Sequence, residues 1–453
     1  MESKSDEQRN LMLTAPIGKL LAQKSIPTVI IQLITVIYNT ADTYFVAQIN
    51  TSASAAVGVV FSLMAIIQAV GYGVGMGTAS IVSIALGEKK EKEAEKYAAS
   101  AVSLSVVLGL IILLFGMIFK IGFIRILGAS DTVLPYALDY AQYILIAAPF
   151  MCGAFVLNNI LRASGQTTLS MIGMTSGGIL NLILDPIFIF SLDMGIKGAA
   201  LATMLGQILS FVLMLFFFLQ KKSIVALDLR NISKSAKDYL AIIKTGAPSV
   251  FRQGLSSIAS AVLNNCAMPY GDATVAAITI SNKVYTLIRG VILGIGQGYM
   301  PIAGYCYGAG KKQRVRKLFK ACCLAGTIIA VGSAICMFFF RTQIITWFRN
   351  DPDVIAIGSQ TFIFLSMSLP FMAYSTYVNQ TYQSLKHALG ATILASCRQG
   401  IFFIPMAFIL PPILKLTGIE LLQPVADTLT FLISIPFQIF FFKKYLSEDG
   451  VEI

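Results

Sequence analysis

The chain has little of what a soluble metal enzyme or a secreted protein needs. It has one histidine, one tryptophan and seven cysteines among 453 residues, and only 12% of its residues are charged. The single histidine, His387, lies in a short polar turn, which argues against a catalytic triad and against zinc coordination. No two cysteines have CxxC spacing, so neither disulfides nor a metal site is predicted. We therefore expect no enzyme activity and no cofactor.

Apolar residues dominate the composition. They make up 56% of the chain, and the mean hydropathy is +0.76. About 20 apolar residues are needed to cross roughly 30 Å of hydrocarbon. The sequence predicts an all-α integral membrane protein with twelve transmembrane helices at residues 25–48, 54–86, 97–119, 133–160, 168–190, 198–219, 239–265, 273–306, 318–340, 354–382, 389–413 and 422–442.

The positive charge alternates between the segments that connect these spans. Of 34 lysines and arginines, 24 fall on the side of the amino terminus, six on the opposite side and four within spans. Such a bias places both termini in the cytoplasm. It also explains the net charge of +12 without a nucleic-acid partner. The first two dozen residues lack the apolar run of a secretory signal, so we expect a cytoplasmic arm there.

The sequence repeats itself at a constant offset, which we call the repeat offset and define by the match of Pro27 with Pro248. The same offset matches Gly73 with Gly294, Gly77 with Gly298, Gly87 with Gly308, Lys96 with Lys317 and Asn158 with Asn379. Repeats with an even number of crossings are parallel, so we predict two pseudo-symmetric six-helix lobes with a substrate cleft between them. Glycines at small-xxx-small spacing should let helices pack closely. The predicted divisions are an arm at 1–24, an N-lobe at 25–219, a linker at 220–238, a C-lobe at 239–442 and a tail at 443–453.

The first span carries an acid at membrane depth. On a helix, Asp42 shares one face with Thr28, Gln32, Thr35 and Asn39, with Tyr38 at the edge of that face. A carboxylate at this depth costs about 2.5 kcal/mol or more, which makes it a functional candidate.

Two further spans supply oxygen atoms. Asn181 and Asp185 are four residues apart on the fifth span, and Thr203 and Gln207 have the same spacing on the sixth. Pro186 leaves a backbone acceptor free near Asp185. Two carboxylates, an amide oxygen and a hydroxyl suit a small hard cation or a proton shared between acids.

The second half of the chain has cations where the first half has acids. Asp42 aligns with Leu263 and Asp185 with Ile404. The spans of the second half contain Arg252, Lys283, Arg289 and Arg398. We expect no acid within those spans to pair with them. They could contact an anionic part of a substrate or the carbonyls of broken helix ends.

Four stretches resemble the multidrug and toxic compound extrusion (MATE) family. They are YNTADTYFVAQ, NNILRASGQ, NLILDPIFIF and GIKGAALATMLGQ. The chain looks closest to the branch whose coupling site is in the N-terminal lobe. In that branch, the resemblance implies, the coupling H⁺ or Na⁺ is bound at Asp42, Asn181, Asp185 and Thr203. Other branches place acids on helices seven and ten, and the corresponding stretches FRQGLSSIAS and YSTYVNQTYQ have none.

The resemblance implies a secondary active exporter in the bacterial cytoplasmic membrane. It would exchange lipophilic, cationic drugs for H⁺ or Na⁺, as a monomer. Candidate cavity-lining residues are Tyr38, Asn39, Asn158, Asn379, Arg289 and Arg398, and candidate hinges are Pro27, Pro186 and Pro248. One alternative is a flippase for lipids or lipid-linked sugars of the same superfamily, since its cations would suit a diphosphate headgroup. The other is a membrane-embedded enzyme, but the sequence lacks a phosphate loop and a nucleophile elbow.

Overall fold

A computed structural model describes residues 4–220 and 222–447 of the chain. Within those two ranges the regular structure is helical throughout and contains no strand. The predicted all-α fold is therefore confirmed. Residues 1–3 of the predicted arm, residue 221 of the predicted linker and residues 448–453 of the predicted tail lie outside the described residues.

The described chain forms seventeen α-helices. They are α1 Lys4–Thr14, α2 Ile17–Ala47, α3 Thr51–Gly87, α4 Glu91–Ile118, α5 Lys120–Ile126, α6 Leu134–Ala163, α7 Thr167–Pro186, α8 Gly195–Leu219, α9 Ala236–Ala267, α10 Asp272–Gly308, α11 Lys312–Phe339, α12 Arg341–Phe348, α13 Pro352–Ser384, α14 Ala388–Ser396, α15 Ile404–Leu414, α16 Leu416–Glu420 and α17 Leu422–Tyr445. Two π-helical segments, Ile187–Ser191 and Cys397–Phe403, follow α7 and α14. Two 3₁₀ turns lie at Leu229–Asn231 and Met268–Tyr270.

Eleven helical segments of the described chain are long and apolar enough to cross a membrane. They coincide with eleven of the twelve predicted spans. The remaining prediction, at 239–265, is the 32-residue helix α9, which is long enough to cross. Its apolar character is reduced by Arg252, Gln253 and several serines.

The structure lengthens one predicted span, α2, and adds two short helices, α5 and α12. The helix α2 begins at Ile17, before the predicted start of the first span at residue 25, and Leu20 and Leu21 on its first turns are buried. The predicted arm is therefore largely helical. The short helices α5 and α12 were not predicted, because each follows a membrane span and is shorter than one. Their first residues, Lys120 and Arg341, are separated by the repeat offset.

The helices pack into two compact units. Unit 1 comprises described residues 4–14 and 30–250, and unit 2 comprises 15–29 and 251–447. Two helices belong to both units: α2 divides after Val29 and α9 after Val250, which the repeat offset makes equivalent positions. The ends of the packing units therefore differ from the predicted lobe boundaries at 219 and 239.

Glycines bring the shared helices close to their neighbours. In unit 1, a Cβ on Gly246 of α9 would lie 1.9 Å from the Gly73 carbonyl oxygen of α3. In unit 2, a Cβ on Gly294 of α10 would lie 2.8 Å from the Cα of Val29, and Thr28 Oγ1 donates to the Gly294 carbonyl at 2.6 Å. The predicted close packing of helices at glycines is confirmed at these positions.

The linker between α8 and α9 is bound by hydrogen bonds and an ion pair to other parts of unit 1. Gln166 Nε2 donates to the Lys222 carbonyl at 2.6 Å, and the Ile224 amide donates to Gln166 Oε1 at 3.0 Å. At the far end, Ser233 Oγ donates to Asp238 at 2.5 Å and Lys96 Nζ lies 2.9 Å from the same carboxylate. The Ser233 hydrogen bond, followed by the Lys96 ammonium, lowers the pKa of Asp238 below its ordinary value.

Candidate functional site

Asp42 lies deep inside unit 1. Its side chain is on α2 and only 3% of the residue is exposed. Tyr140 on α6 donates a hydrogen bond from Oη to Asp42 Oδ2 at 3.1 Å. Asp42 Oδ1 is buried and has no hydrogen-bond partner among the described residues. A carboxylate with one neutral donor is poorly compensated for its loss of water.

Asn181, Asp185 and Thr203 form a second polar group on α7 and α8. Asn181 Nδ2 donates to Asp185 Oδ1 at 3.1 Å and lies 3.2 Å from Thr203 Oγ1. The contact between the helices is possible because Gly177 and Gly206 face each other. A Cβ on Gly177 would lie 2.2 Å from the Gly206 carbonyl oxygen. The four-residue spacing and this glycine contact together place the three polar side chains in one group.

Tyr140 connects the two groups. Its hydroxyl interacts with the side chains of Asp42 and Thr203. The carboxylates of Asp42 and Asp185 also interact electrostatically. Side chains from α2, α6, α7 and α8 therefore form one buried site, the four-helix site. Sequence reasoning missed Tyr140. The available signal was a tyrosine in an apolar span, since a buried hydroxyl needs a polar partner.

The four-helix site has more acceptors than donors. Buried oxygens without a hydrogen-bond partner in the described structure are Asp42 Oδ1, Asn181 Oδ1, Asp185 Oδ2 and, one turn beyond Thr203 on α8, Gln207 Oε1. No lysine or arginine of the described chain forms an ion pair with either acid. A proton or a small hard cation would supply the missing positive charge. Among the described residues, no group of three His, Cys, Asp or Glu is placed to hold a metal.

Tyr38 and Asn39 border the four-helix site. Tyr38 interacts with Asn39, Asp42 and Gln207, and its ring packs against Gly178 of α7. Asn39 is partly exposed on the same face of α2. A cavity-lining role for the two residues is compatible with these positions and stays a prediction.

Asn158 and Asn379 occupy equivalent places in the two repeats. Asn158 Oδ1 accepts a hydrogen bond from Ser170 Oγ, and Asn379 Nδ2 donates to the Ala391 carbonyl at 2.6 Å. Both bonds join residues twelve positions apart and tie consecutive spans together. The contact gives Asn158 a packing function, and its predicted role in a cavity stays a prediction. Asn379 also lines a small cavity in unit 2.

The three candidate hinge prolines differ in their helical context. Pro186 ends α7, next to Asp185, and the π-helical segment Ile187–Ser191 follows. Such segments occur frequently at functional sites. Pro27 and Pro248 lie inside α2 and α9, shortly before each helix passes from one unit to the other. Bending at these prolines stays a prediction.

One expectation about the second half is wrong. Asp427 on α17 is fully buried and pairs with Arg398, whose Nε donates to Asp427 Oδ1 at 2.7 Å. The last span therefore contains an acid that compensates one of the four cations. Lys283 is exposed on α10, whereas Arg252, Arg289 and Arg398 are partly buried.

Comparison with known proteins places this architecture in one family. The MatE family model matches residues 27–187 and 248–409, two matches whose first residues are separated by the repeat offset and so confirm the repeat. The chain is 28% identical over 426 residues to the multidrug export protein MepA of Staphylococcus aureus MSSA476, covering 94% of each chain. It is 25% identical over 449 residues to MepA of Staphylococcus saprophyticus, covering 99% of each.

Solved structures show the same fold. A MOP superfamily transporter from Pyrococcus furiosus has a TM-score of 0.91 at 24% identity, covering 98% of this chain and all of that one. A MATE protein in its bent conformation has a TM-score of 0.88 at 25% identity, covering 97% of this chain and 98% of that chain. These matches confirm the predicted transmembrane fold. Since the family model covers well over half of the sequence, the chain belongs to the MatE family and is a membrane transporter rather than an enzyme.

Proposed function

We propose that this protein is a secondary active multidrug exporter that exchanges lipophilic, cationic drugs for H⁺ or Na⁺. The names of its staphylococcal relatives, multidrug export proteins, support this class of substrate. The observation that carries the coupling mechanism is the excess of acceptor oxygens around Asp42 and Asp185 in the four-helix site.

The charge of the four-helix site depends on a cation. Two ionised carboxylates that act on each other in a poorly hydrated site repel, and the described residues supply neutral donors only. One proton or one sodium ion removes part of this repulsion and satisfies acceptors on Asp42, Asn181 and Asp185. The bound cation therefore changes the electrostatic free energy of the site substantially.

The position of Asp42 on α2 links that free energy to the conformation of the protein. Residues 30–47 of α2 belong to unit 1, and residues 17–29 of the same helix belong to unit 2. A cation that binds one conformation of this helix more tightly than another shifts the equilibrium between them. Alternation between such states, each open to one side of the membrane, would couple inward movement of the cation to outward movement of the drug.

The proposed location is the bacterial cytoplasmic membrane, with both termini in the cytoplasm. The distribution of lysine and arginine between the loops supports this orientation. The six cations on the opposite side are Lys120, Arg125, Lys197, Arg341, Arg349 and Lys415.

The test is transport by the purified protein in proteoliposomes under separately imposed gradients. We expect ethidium to be concentrated against its own gradient when one of the two cations flows in the opposite direction. The gradient that supports transport identifies the coupling ion. Ethidium movement that is unchanged when both gradients are absent would contradict the proposal.

A further inference from the structure

A small cavity in unit 2 is lined by three arginines. Its volume is about 40 Å³, and it is bordered by Arg252 of α9, Arg289 of α10 and Arg398 of the π-helical segment after α14. Within the described chain no acidic residue lines it. The other polar lining residues are Ser256, Ser375, Thr376, Asn379, Gln399 and Thr430. The lining therefore carries three positive charges and no negative one, whereas Ser375, Thr376 and Asn379 already donate to backbone carbonyls.

The carboxylate of Asp427 already accepts hydrogen bonds from three side chains. Arg398 Nε and Gln423 Nε2 donate to its Oδ1 at 2.7 and 3.0 Å, and Tyr285 Oη donates to its Oδ2 at 2.5 Å. Arg398 also contacts the Tyr285 hydroxyl. These contacts fix Arg398 and leave Asp427 little capacity to neutralise a second guanidinium.

Arg289 remains without an acidic ion-pair partner in the described part of the chain. The positive charges of Arg252 and Arg398 act on it, and Asp427 offsets them only in part. Arginines held together inside a membrane protein are unfavourable unless an anion accompanies them.

Arg252 and Arg289 occur only in the second repeat. By the repeat offset, the positions equivalent to Arg252 and Arg289 are Ile31 and Gln68, which carry no charge. The repeat architecture therefore does not require these cations. A guanidinium binds planar oxyanions through two parallel hydrogen bonds, which makes arginine the residue best suited to a carboxylate or phosphate.

We propose that this cavity binds an oxyanion group, a carboxylate or a phosphate, through Arg289 and Arg252, with Arg398 held in place by Asp427. A cavity of about 40 Å³ admits the charged group and excludes the body of a drug-sized molecule. The ligand is therefore an amphiphile that inserts its anionic end. Only the transport measurement below rests on the proposed exporter function.

The binding test compares norfloxacin, which has a carboxylate, with its methyl ester, which has none, on the purified full-length protein. We expect the acid to bind about tenfold more tightly than the ester, because the ester has no negative charge and cannot form the bidentate ion pair of a carboxylate with Arg289. Arg289→Gln should remove this difference, and Arg289→Lys should retain part of it. The matched control is Lys283→Gln, on the same helix but outside the cavity, which should leave the difference unchanged.

Competition with norfloxacin distinguishes the possible sources of a phosphate ligand. Competition by inorganic phosphate in the wild type but not in Arg289→Gln would assign a free phosphate, and competition by phosphatidylglycerol alone would assign a lipid headgroup. Ethidium lacks an oxyanion, so its ion-driven export by the wild type tests the exporter proposal independently of norfloxacin binding, and failure of the anion site is distinguishable from failure of the exporter proposal. Equal affinities of acid and ester for the wild type, or an unchanged ratio in Arg289→Gln, would overturn the inference.

Discussion

Asp42 and Asp427 are both buried carboxylates, and their partners give them different properties. Asp427 accepts three hydrogen bonds, one of them from the charged Arg398. Asp42 accepts one, from the neutral Tyr140. Asp427 is thus compensated within the protein. Asp42 has no charged partner among the described residues, and we propose that a mobile cation compensates it, which would distinguish a coupling site from a structural ion pair.

Removing the hydroxyl of Tyr140 should change the affinity of the four-helix site for the coupling ion. Tyr140→Phe deletes the single donor to Asp42 and leaves its charge less compensated, so the site should bind the cation more tightly. Since hydrogen bonds to charged groups contribute about 1.5–3 kcal/mol, the ion concentration at half-maximal export should fall by roughly tenfold or more. The measurement is ethidium export as a function of the external concentration of the coupling ion.

Tyr143→Phe is the control for this substitution, because Tyr143 lies on the same helix and packs against the apolar core of unit 1. It should leave the ion dependence unaltered. The same ion dependence in both variants would show that Tyr140 does not act on the site.

The residues of the four-helix site were unequally predictable. Asn181, Asp185 and Thr203 follow from four-residue spacing on consecutive spans, and the structure brings them together. Tyr140 is 98 residues from Asp42, and nothing local in the sequence specifies which face of α6 meets which face of α2. Asp427, in contrast, lies within the predicted span 422–442, so the expectation that the second-half spans contain no acid was wrong on the sequence itself. Only its pairing with Arg398, on another span, depends on tertiary packing.

At the scale of the elements, the contact between α9 and α3 depends on a small side chain at Gly246. Gly246→Ala would place a Cβ 1.9 Å from the Gly73 carbonyl oxygen, so α3 and α9 would have to separate. Overpacking of this kind costs about 1–3 kcal/mol. We expect a lower melting temperature in detergent, measured by thiol-reactive dye fluorescence.

Gly254→Ala provides the matched control on the same helix. A Cβ at Gly254 would have no atom within 4 Å, and alanine favours a helix more than glycine does, so its melting temperature should not fall below that of the wild type. If Gly246→Ala melted no earlier than Gly254→Ala, close contact at Gly246 would not contribute to stability.

The short helix α16 carries a group that makes stability depend on pH. Glu420 lies between the membrane segments α15 and α17, and burial raises its pKa from 4.5 to about 7, although Thr361 opposes the change. Between these values the folded protein binds more protons than the unfolded chain. The stabilisation is complete below about pH 4.5 and is lost as pH rises through about 7.

The melting temperature should therefore decrease from pH 5 to pH 8, and Glu420→Gln should reduce that decrease. The side chain of Gln remains neutral over this range, so it contributes no proton release on unfolding. A slope that is identical in wild type and variant would exclude Glu420 as its source.

At the scale of the whole molecule, the sequence predicted the number of spans and their repeat better than their packing. Apolar length fixes the spans, and the repeat offset recurs in the family matches and in the short helices α5 and α12. The division of α2 after Val29 and of α9 after Val250 could not be predicted. Hydropathy does not record which unit each part of a long helix packs against.

The orientation of the molecule gives a separate prediction. Green fluorescent protein fused after Ile453 should fluoresce, because a cytoplasmic terminus lets it fold. Alkaline phosphatase fused after Gly128, in the predicted outer loop between α5 and α6, should be active. A dark carboxyl-terminal fusion together with an inactive phosphatase fusion would reverse the proposed topology.

The central claim is that Asp42 and Asp185 exchange the coupling cation and that this exchange drives export. The most direct test is ion-driven accumulation of ethidium in proteoliposomes that contain Asp42→Asn, Asp185→Asn or the control Asp131→Asn, which alters a carboxylate that is 90% exposed. The account predicts that both buried-site variants insert and melt normally but lose ion-driven accumulation, while Asp131→Asn retains it. Accumulation at the wild-type rate in Asp42→Asn would contradict it.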